Sequence, residues 1–131
     1  MSPGDRLPPW ELPITPTLVV STAIATRDFQ DVHHDRDLAQ SYGSQDIFLN
    51  ILTTNGLVER YVTDALGQDL DVCSIAIRLG APAHPYDTLR FTGEVESVAG
   101  DEVVVAVRGV VVSTRSTDGM DHVTGTVVVR R

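Results

Sequence analysis

One long stretch of the chain has apolar residues at helical spacing, and after Gly67 the chain is strand-like to its end. Between residues 48 and 66, apolar residues recur at three- and four-residue spacings, which predicts one long helix ended by Gly67. The predicted apolar face consists of Ile51, Leu52, Val58, Tyr61, Val62, Ala65 and Leu66, and the polar face of Asn50, Asn55, Glu59, Arg60 and Asp64. Gly56 disfavours the helix, so we expect close contact with a sheet or ligand to compensate.

Strand-like runs account for most of the remaining chain. Thr17–Ala25 is rich in β-branched residues and predicts a first strand. Four further strands are predicted over residues 70–79, 88–98, 102–114 and 122–130. Gly100-Asp101 and Asp118-Gly119 are hairpin signals, so the last three strands should form an antiparallel meander. The run 103–107 is apolar on both faces, which indicates contact with the helix on one side and a second subunit on the other.

A short helix is also predicted over Arg36–Tyr42, with Asp35 as its N-cap and Gly43 as its end. One strand, a long helix and four antiparallel strands predict an α+β fold. A curved sheet of about five strands would wrap around the long helix, because that helix needs an apolar cradle. This is the hotdog arrangement, predicted as a single domain over residues 17–131.

Residues 1–16 contain five prolines. Prolines remove backbone donors and favour extended structure, so the segment is interpreted as an arm outside the domain. Trp10 and Leu12 would attach this arm to the body of the protein or to a partner. A disordered tail is the alternative.

Composition limits the function classes. With 131 residues, the chain is long enough for one domain with a buried core. Ten Lys plus Arg against eighteen Asp plus Glu give a net charge of −8, and the basic residues form no cluster. Binding to nucleic acid or to an anionic membrane is therefore not expected.

The single cysteine, Cys73, excludes an intrachain disulfide, and its apolar surroundings predict a small buried residue rather than a nucleophile. The first residues lack the pattern of a signal peptide, and no apolar run approaches the length of a membrane span. We therefore expect a cytoplasmic protein.

The segment Arg27–Asp35 carries the candidate chemistry, with three carboxylates and two imidazoles in nine residues. An Asp and a His five residues apart on one loop can converge on a single water, orient it and accept its proton. Asp28 and His33 are the predicted catalytic pair. Asp28 could instead cap the loop, and Asp31 could support the pair or be solvated. A metal site at His33-His34-Asp35 lacks the usual ligand spacing, so none is predicted.

This loop resembles the signature of the MaoC-like, or (R)-specific, enoyl-CoA hydratases, which has the form Gly-Asp-x-Asn-Pro-x-His. Arg27-Asp28-Phe29-Gln30-Asp31-Val32-His33 occupies the same frame, so the resemblance assigns catalysis to Asp28 and His33 rather than to His34. Tyr86-Asp87-Thr88-Leu89 is similar to the family's Gly-Asp-Thr-Leu turn. The similarity extends over residues 17–131.

The chain also departs from this signature. Arg27, Gln30 and Asp31 replace the family's Gly, Asn and Pro, and Leu49-Asn50 replaces a His-Gly at the start of the long helix. In the family, the amide of that glycine polarises the thioester carbonyl. Asn50 retains the N–H, but its side chain is expected to project into the site. Asn50, Ile51 and Asp31 are the candidates for substrate binding.

The sequence of residues 21–37 and 46–52 is similar to that of the small MaoC-like subunit of actinobacterial steroid side-chain enoyl-CoA hydratases. The resemblance implies a larger partner with its own MaoC-like domain and a zinc-ribbon/OB acyl-CoA-binding domain, which together with this chain forms a heterotetramer. It also implies a steroid acyl-CoA substrate from cholesterol catabolism, with no cofactor beyond the substrate's coenzyme A. The alternatives are a hotdog thioesterase and a non-catalytic subunit that completes the partner's acyl-CoA site.

Overall fold

The computed structural model describes residues 1–113 and 119–131. Its strands are β1 (Arg6–Pro13), β2 (Asp71–Leu79), β3 (Thr88–Ala99), β4 (Glu102–Val112) and β5 (Met120–Arg130). Its helices are α1 (Pro16–Ala25), α2 (Arg36–Ser41) and α3 (Ile51–Leu66), and a short 3₁₀ turn spans Asp31–His33.

The five strands form one antiparallel sheet in the order β1-β3-β4-β5-β2. Strands β3, β4 and β5 are the predicted meander, and Gly100 adopts φ 63° in the turn between the first two. The sheet curves around α3, and the predicted α+β hotdog fold is confirmed. Asp118 of the second predicted hairpin and the predicted strand end at Thr114 fall on residues 114–118, outside the described part.

The core lies between α3 and the inner face of the sheet. Val58 and Val62 of α3 are fully buried, and Tyr61 stacks on Phe91 of β3 with ring centroids 5.6 Å apart. The inner face of β4 is buried as well, at Val103, Val105, Val107 and Val111. Each large aliphatic side chain removed from water in this way stabilises the fold by about 1.5–3 kcal/mol.

The prediction of a first strand over Thr17–Ala25 is wrong, because this segment forms α1. Thr15 caps the helix by accepting a hydrogen bond from the Leu18 N–H at 3.0 Å, and Pro16 occupies the first turn. Val19 and Ala23, four residues apart, are fully buried on one side of the helix. Burial at helical spacing therefore outweighs the strand preference of the β-branched residues.

The first strand lies within the proline-rich arm, so the predicted domain start at residue 17 is too late. Strand β1 pairs with β3 from Arg6 opposite Glu94 to Pro13 opposite Thr88. Prolines are tolerated because β1 is an edge strand whose register shifts between Leu7 and Trp10. Trp10 stacks on Phe91 at 5.4 Å, as expected of an attached arm, and the alternative of a disordered tail is wrong.

The long helix was predicted from residue 48 but begins at Ile51, after the N-cap Asn50. The prediction that Ile51 and Leu52 belong to its buried face is wrong, since both are 54% exposed. Thr53, Thr54 and Leu57 take the buried positions instead. The compensating contact expected at Gly56 is not found among residues 1–113 and 119–131, where a Cβ at this position would meet open space. No helix in the described residues has the length and apolar character needed to cross a membrane.

Cys73 was predicted to be buried, and this is wrong because its side chain is exposed. It lies at a register shift between Val72 and Ser74 in β2, the other edge strand of the sheet. A residue at such a bulge has no cross-strand partner and can turn away from the core.

Candidate functional site

The C-terminus of α1 positions Asp28. The Arg27 N–H donates to the Ile24 carbonyl at 3.0 Å, and the Asp28 N–H donates to the Ala23 carbonyl at 2.9 Å. Arg27 has φ 56°, in the left-handed region. These features are the Schellman motif, which ends the helix and directs the next residue away from its axis. Asp28 is that residue, so the motif fixes the backbone position from which its carboxylate extends.

His33 follows on the 3₁₀ turn and faces Asp28. Its Nε2 lies 3.4 Å from Asp28 Oδ2, while the other Asp28 oxygen accepts a hydrogen bond from the Gln30 N–H at 3.4 Å. Nδ1 of His33 lies 2.8 Å from the carbonyl oxygen of Phe48, which can only accept. His33 is therefore protonated on Nδ1, and in the neutral ring the Nε2 lone pair faces the carboxylate.

The segment before α3 is fixed on both sides by histidines. The His33 ring donates to the carbonyl of Phe48, and the His84 ring, through Nδ1, donates to the carbonyl of Ile47 at 3.0 Å. The Phe48 ring contacts both imidazoles edge-on, with centroid distances of 5.0 Å to His33 and 6.0 Å to His84. The Phe48 N–H also donates to the Val32 carbonyl at 3.1 Å. This clamp holds the catalytic loop against the start of α3.

The side chain of Asn50 does not project into the site, contrary to expectation. It is 1% exposed, and its Oδ1 accepts hydrogen bonds from both the N–H and the hydroxyl of Thr53. Its Nδ2 donates to Thr26 Oγ1 at 2.8 Å. Thr26 is the C-cap of α1, two residues before Asp28, so Asn50 connects the start of α3 to the loop that carries the carboxylate.

Asp31 and His34 lie away from the Asp28–His33 pair. One Asp31 oxygen accepts from the Tyr42 hydroxyl at 3.4 Å, and the other lies 3.9 Å from His34 Nε2. His34 Nε2 is also within 3.2 Å of the Phe29 carbonyl, and its side chain is 37% exposed. The structure thus brings His33 rather than His34 to Asp28. The substrate-binding role of Asp31 stays a prediction.

Sequence reasoning assigned no role to two buried side chains near the site. The ring of His84 is one half of the clamp on residues 47 and 48. Asp46 is buried and accepts from Arg36 Nε at 2.8 Å and from the Ile47 N–H at 2.7 Å. Burial raises the pKa of Asp46, but the Arg36 guanidinium and the Ile47 N–H outweigh it and hold that pKa below its ordinary value.

A third histidine, His122, joins α3 to the sheet. Its Nε2 accepts from the Thr54 hydroxyl at 2.8 Å, and its Nδ1 donates to the Ala81 carbonyl at 2.7 Å. Burial lowers the pKa of His122, an effect that the hydrogen bond to Ala81 only partly opposes. The lowered pKa favours the neutral ring, and its two hydrogen bonds connect α3 to the segment that follows β2.

Three or more side chains of the types that ligate metals do not come together anywhere in residues 1–113 and 119–131. The arrangement that remains is a carboxylate and an imidazole facing each other beside a helix N-terminus. Such a pair can orient one water and accept its proton, while the first amides of a helix can stabilise a developing oxyanion.

No family model matches the chain. The chain is nevertheless similar in sequence and in structure to known proteins. The chain is 55% identical over 124 residues to the β subunit of 3-oxo-4,17-pregnadiene-20-carboxyl-CoA hydratase of Mycobacterium tuberculosis, covering 95% of this chain and 92% of that subunit. It matches a chain in the crystal structure of the ChsH1-ChsH2 complex from the same species with a TM-score of 0.90 and 52% identity, over 98% and 96% of the two chains.

More distant structures share the fold. The (R)-hydratase of A. caviae involved in PHA biosynthesis aligns with a TM-score of 0.88 over 99% of this chain and 96% of its own, at 16% identity. A MaoC-like dehydratase aligns with a TM-score of 0.86 over 99% of this chain and 40% of its own, at 24% identity. The chain belongs to the MaoC-like enoyl-CoA hydratase family, together with the mycobacterial β subunit.

Proposed function

We propose that this chain is the catalytic subunit of an enoyl-CoA hydratase that adds water across the α,β double bond of a steroid acyl-CoA. The mycobacterial relative is named as a hydratase of 3-oxo-4,17-pregnadiene-20-carboxyl-CoA. We extend that substrate class, a steroid thioester with a shortened side chain formed during cholesterol catabolism, to this chain. The observation that carries the proposal is the 3.4 Å approach of His33 Nε2 to Asp28 Oδ2.

The geometry accounts for the first half of the reaction. Two facing acceptors cannot hydrogen-bond to each other when the ring is neutral, but each can accept one hydrogen of a shared water. The water oxygen then attacks the β-carbon as one of the two groups takes its proton. The Phe48 carbonyl keeps the His33 ring in the required tautomer and stabilises the imidazolium if Nε2 takes that proton.

The second half places negative charge on the thioester oxygen. The N–H groups of Asn50 and Ile51 begin α3, and the first amides of a helix have no intrahelical acceptor. These amides and the positive end of the helix would stabilise the enolate. Asp28 or His33 then returns the proton to the α-carbon, so that one water is consumed and the pair is restored.

A larger subunit completes the proposed enzyme. We assign to it a second MaoC-like domain and a zinc-ribbon/OB acyl-CoA-binding domain, in a heterotetramer. Support comes from large apolar side chains exposed around the catalytic loop, which a partner or an acyl group would cover. They are Ile24, Phe29, Ile51 and Leu52, each more than half exposed.

The test is loss of the conjugated enoyl-thioester absorbance on adding the chain co-purified with its larger subunit. Steroid and short straight-chain enoyl-CoAs are compared, and release of free CoA thiol is followed in parallel. We expect hydration of the steroid thioester without thiol release, and its loss in Asp28→Asn complexes that assemble normally. Thiol release would identify a thioesterase, and full activity in that variant would move the chemistry to the partner.

A further inference from the structure

The residue before the catalytic carboxylate has an unfavourable backbone. Arg27 holds φ 56° at the position after the helix cap where the Schellman motif favours glycine, because a Cβ crowds the left-handed backbone. Both hydrogen bonds of the motif involve only backbone atoms, so glycine would form them equally well. The side chain at position 27 is therefore carried at a cost to the fold.

No contact within the described chain compensates for this cost. The chain's ten basic residues are all arginines. Five of them, namely Arg36, Arg60, Arg90, Arg108 and Arg130, lie within 4.0 Å of a carboxylate. Arg27 is exposed and, like Arg6, Arg78 and Arg131, forms no ion pair with any residue of the part that the structure describes. Its guanidinium is thus free for a ligand.

The position of this free cation suggests what it binds. Arg27 directly precedes Asp28, so its side chain starts at the edge of the catalytic loop. The chain as a whole carries a charge of −8, which repels a polyanion. A CoA thioester is such a polyanion, and guanidinium groups bind phosphate through paired, charge-assisted hydrogen bonds. Retained strain beside reacting groups is a recognised mark of function.

We propose that Arg27 is a substrate-binding residue that holds a phosphate of the coenzyme A moiety at the entrance to the site. The proposal deepens the hydratase function and depends on it for the identity of the ligand. The residue does not take part in proton transfer. Substitution of Arg27 should therefore lower the affinity for the CoA part of the substrate and leave kcat near the native value.

The chain offers a matched control for strain. Tyr86 has φ 74° at the third position of the turn His84–Asp87, where glycine is again favoured, and its side chain is 66% exposed. Replacing either residue by glycine relieves backbone strain, but only Arg27→Gly removes a positive charge. Arg27→Gly should raise the Tm of the assembled enzyme by about 4 °C. Tyr86→Gly should raise it less, because this change also removes a hydroxyl that interacts with Arg36.

The experiment measures binding of CoA, dephospho-CoA and pantetheine to the assembled native enzyme and to the Arg27→Gly, Arg27→Lys and Tyr86→Gly variants by calorimetry. Arg27→Gly should weaken CoA about tenfold and leave pantetheine unchanged, since a charged hydrogen bond is lost. Arg27→Lys should lose less, and Tyr86→Gly should bind CoA as the native enzyme does. If Arg27→Gly weakens the binding of dephospho-CoA as much as that of CoA, Arg27 contacts the diphosphate rather than the 3′-phosphate.

Two results would overturn the proposal. CoA affinity unchanged in Arg27→Gly would show that the guanidinium does not bind phosphate. Separation of the subunits in that variant would assign Arg27 to the partner contact instead. If the native assembly hydrates no enoyl thioester but its CoA binding still depends on Arg27, the hydratase function fails while the phosphate contact stands.

Discussion

The connection between α1 and α3 can be tested at Asn50. Its buried side chain forms hydrogen bonds with the Thr26 hydroxyl, the Thr53 N–H and the Thr53 hydroxyl. Asn50→Ala removes the cap of α3, which costs about 1 kcal/mol, and the hydrogen bond to Thr26, which costs about another 1 kcal/mol. The Thr53 hydroxyl also loses its acceptor. The expected loss in the free energy of unfolding is about 2–3 kcal/mol, or about 10 °C in Tm.

Activity should fall as well, because the same side chain holds the residue two positions before Asp28. A displacement of the carboxylate by about 1 Å can cost on the order of 100-fold in rate. Thermal unfolding and the hydration rate are measured on the assembled enzyme for Asn50→Ala and for Asn55→Ala, a half-buried asparagine of the same helix. Native stability in Asn50→Ala, or an equal loss in both variants, would refute the argument.

Three further substitutions test other parts of the structure. Because burial lowers the pKa of His122, the unfolding free energy should fall as pH drops below its ordinary value of 6.5, and His122→Gln should flatten that slope in urea titrations. The pKa of Asp46 is also lowered, so its contribution is present at neutral pH and lost as pH falls through its folded-state pKa. Asp46→Asn should cost about 1–2 kcal/mol at pH 7 and nothing at low pH, and an equal loss at both would contradict this. Gly56→Ala should raise the stability of the isolated chain by about 1 kcal/mol, and unchanged or lower thermal stability would show that α3 does not tolerate a side chain there.

Much of the fold could be predicted because long elements carry repeated signals. The long helix and the four later strands follow from periodicity and turn residues. Segment 17–25 has no comparable period, and the decisive signal was the cap and proline at Thr15-Pro16, which precede it. Strand β1 was missed because proline normally excludes strands, and only its edge position in the assembled sheet permits it.

Part of the candidate site could also be predicted from the sequence, and part could not. Asp28 and His33 lie five residues apart, so local spacing was enough to suggest that they meet. The clamp on residues 47 and 48 joins groups 15 and 37 residues apart in sequence, and such contacts exist only once the chain has folded. The inward turn of the Asn50 side chain likewise depends on Thr26, 24 residues away.

The most direct test of the account is the hydration rate of the assembled enzyme carrying Asp28→Asn, His33→Ala or both changes. If the two groups hold and deprotonate one water together, each single variant should lose about 10²–10⁴-fold in kcat. The double variant should then lose little more than the worse single one. Losses that multiply would contradict joint action on one water, and a native rate in the double variant would show that the reaction takes place elsewhere.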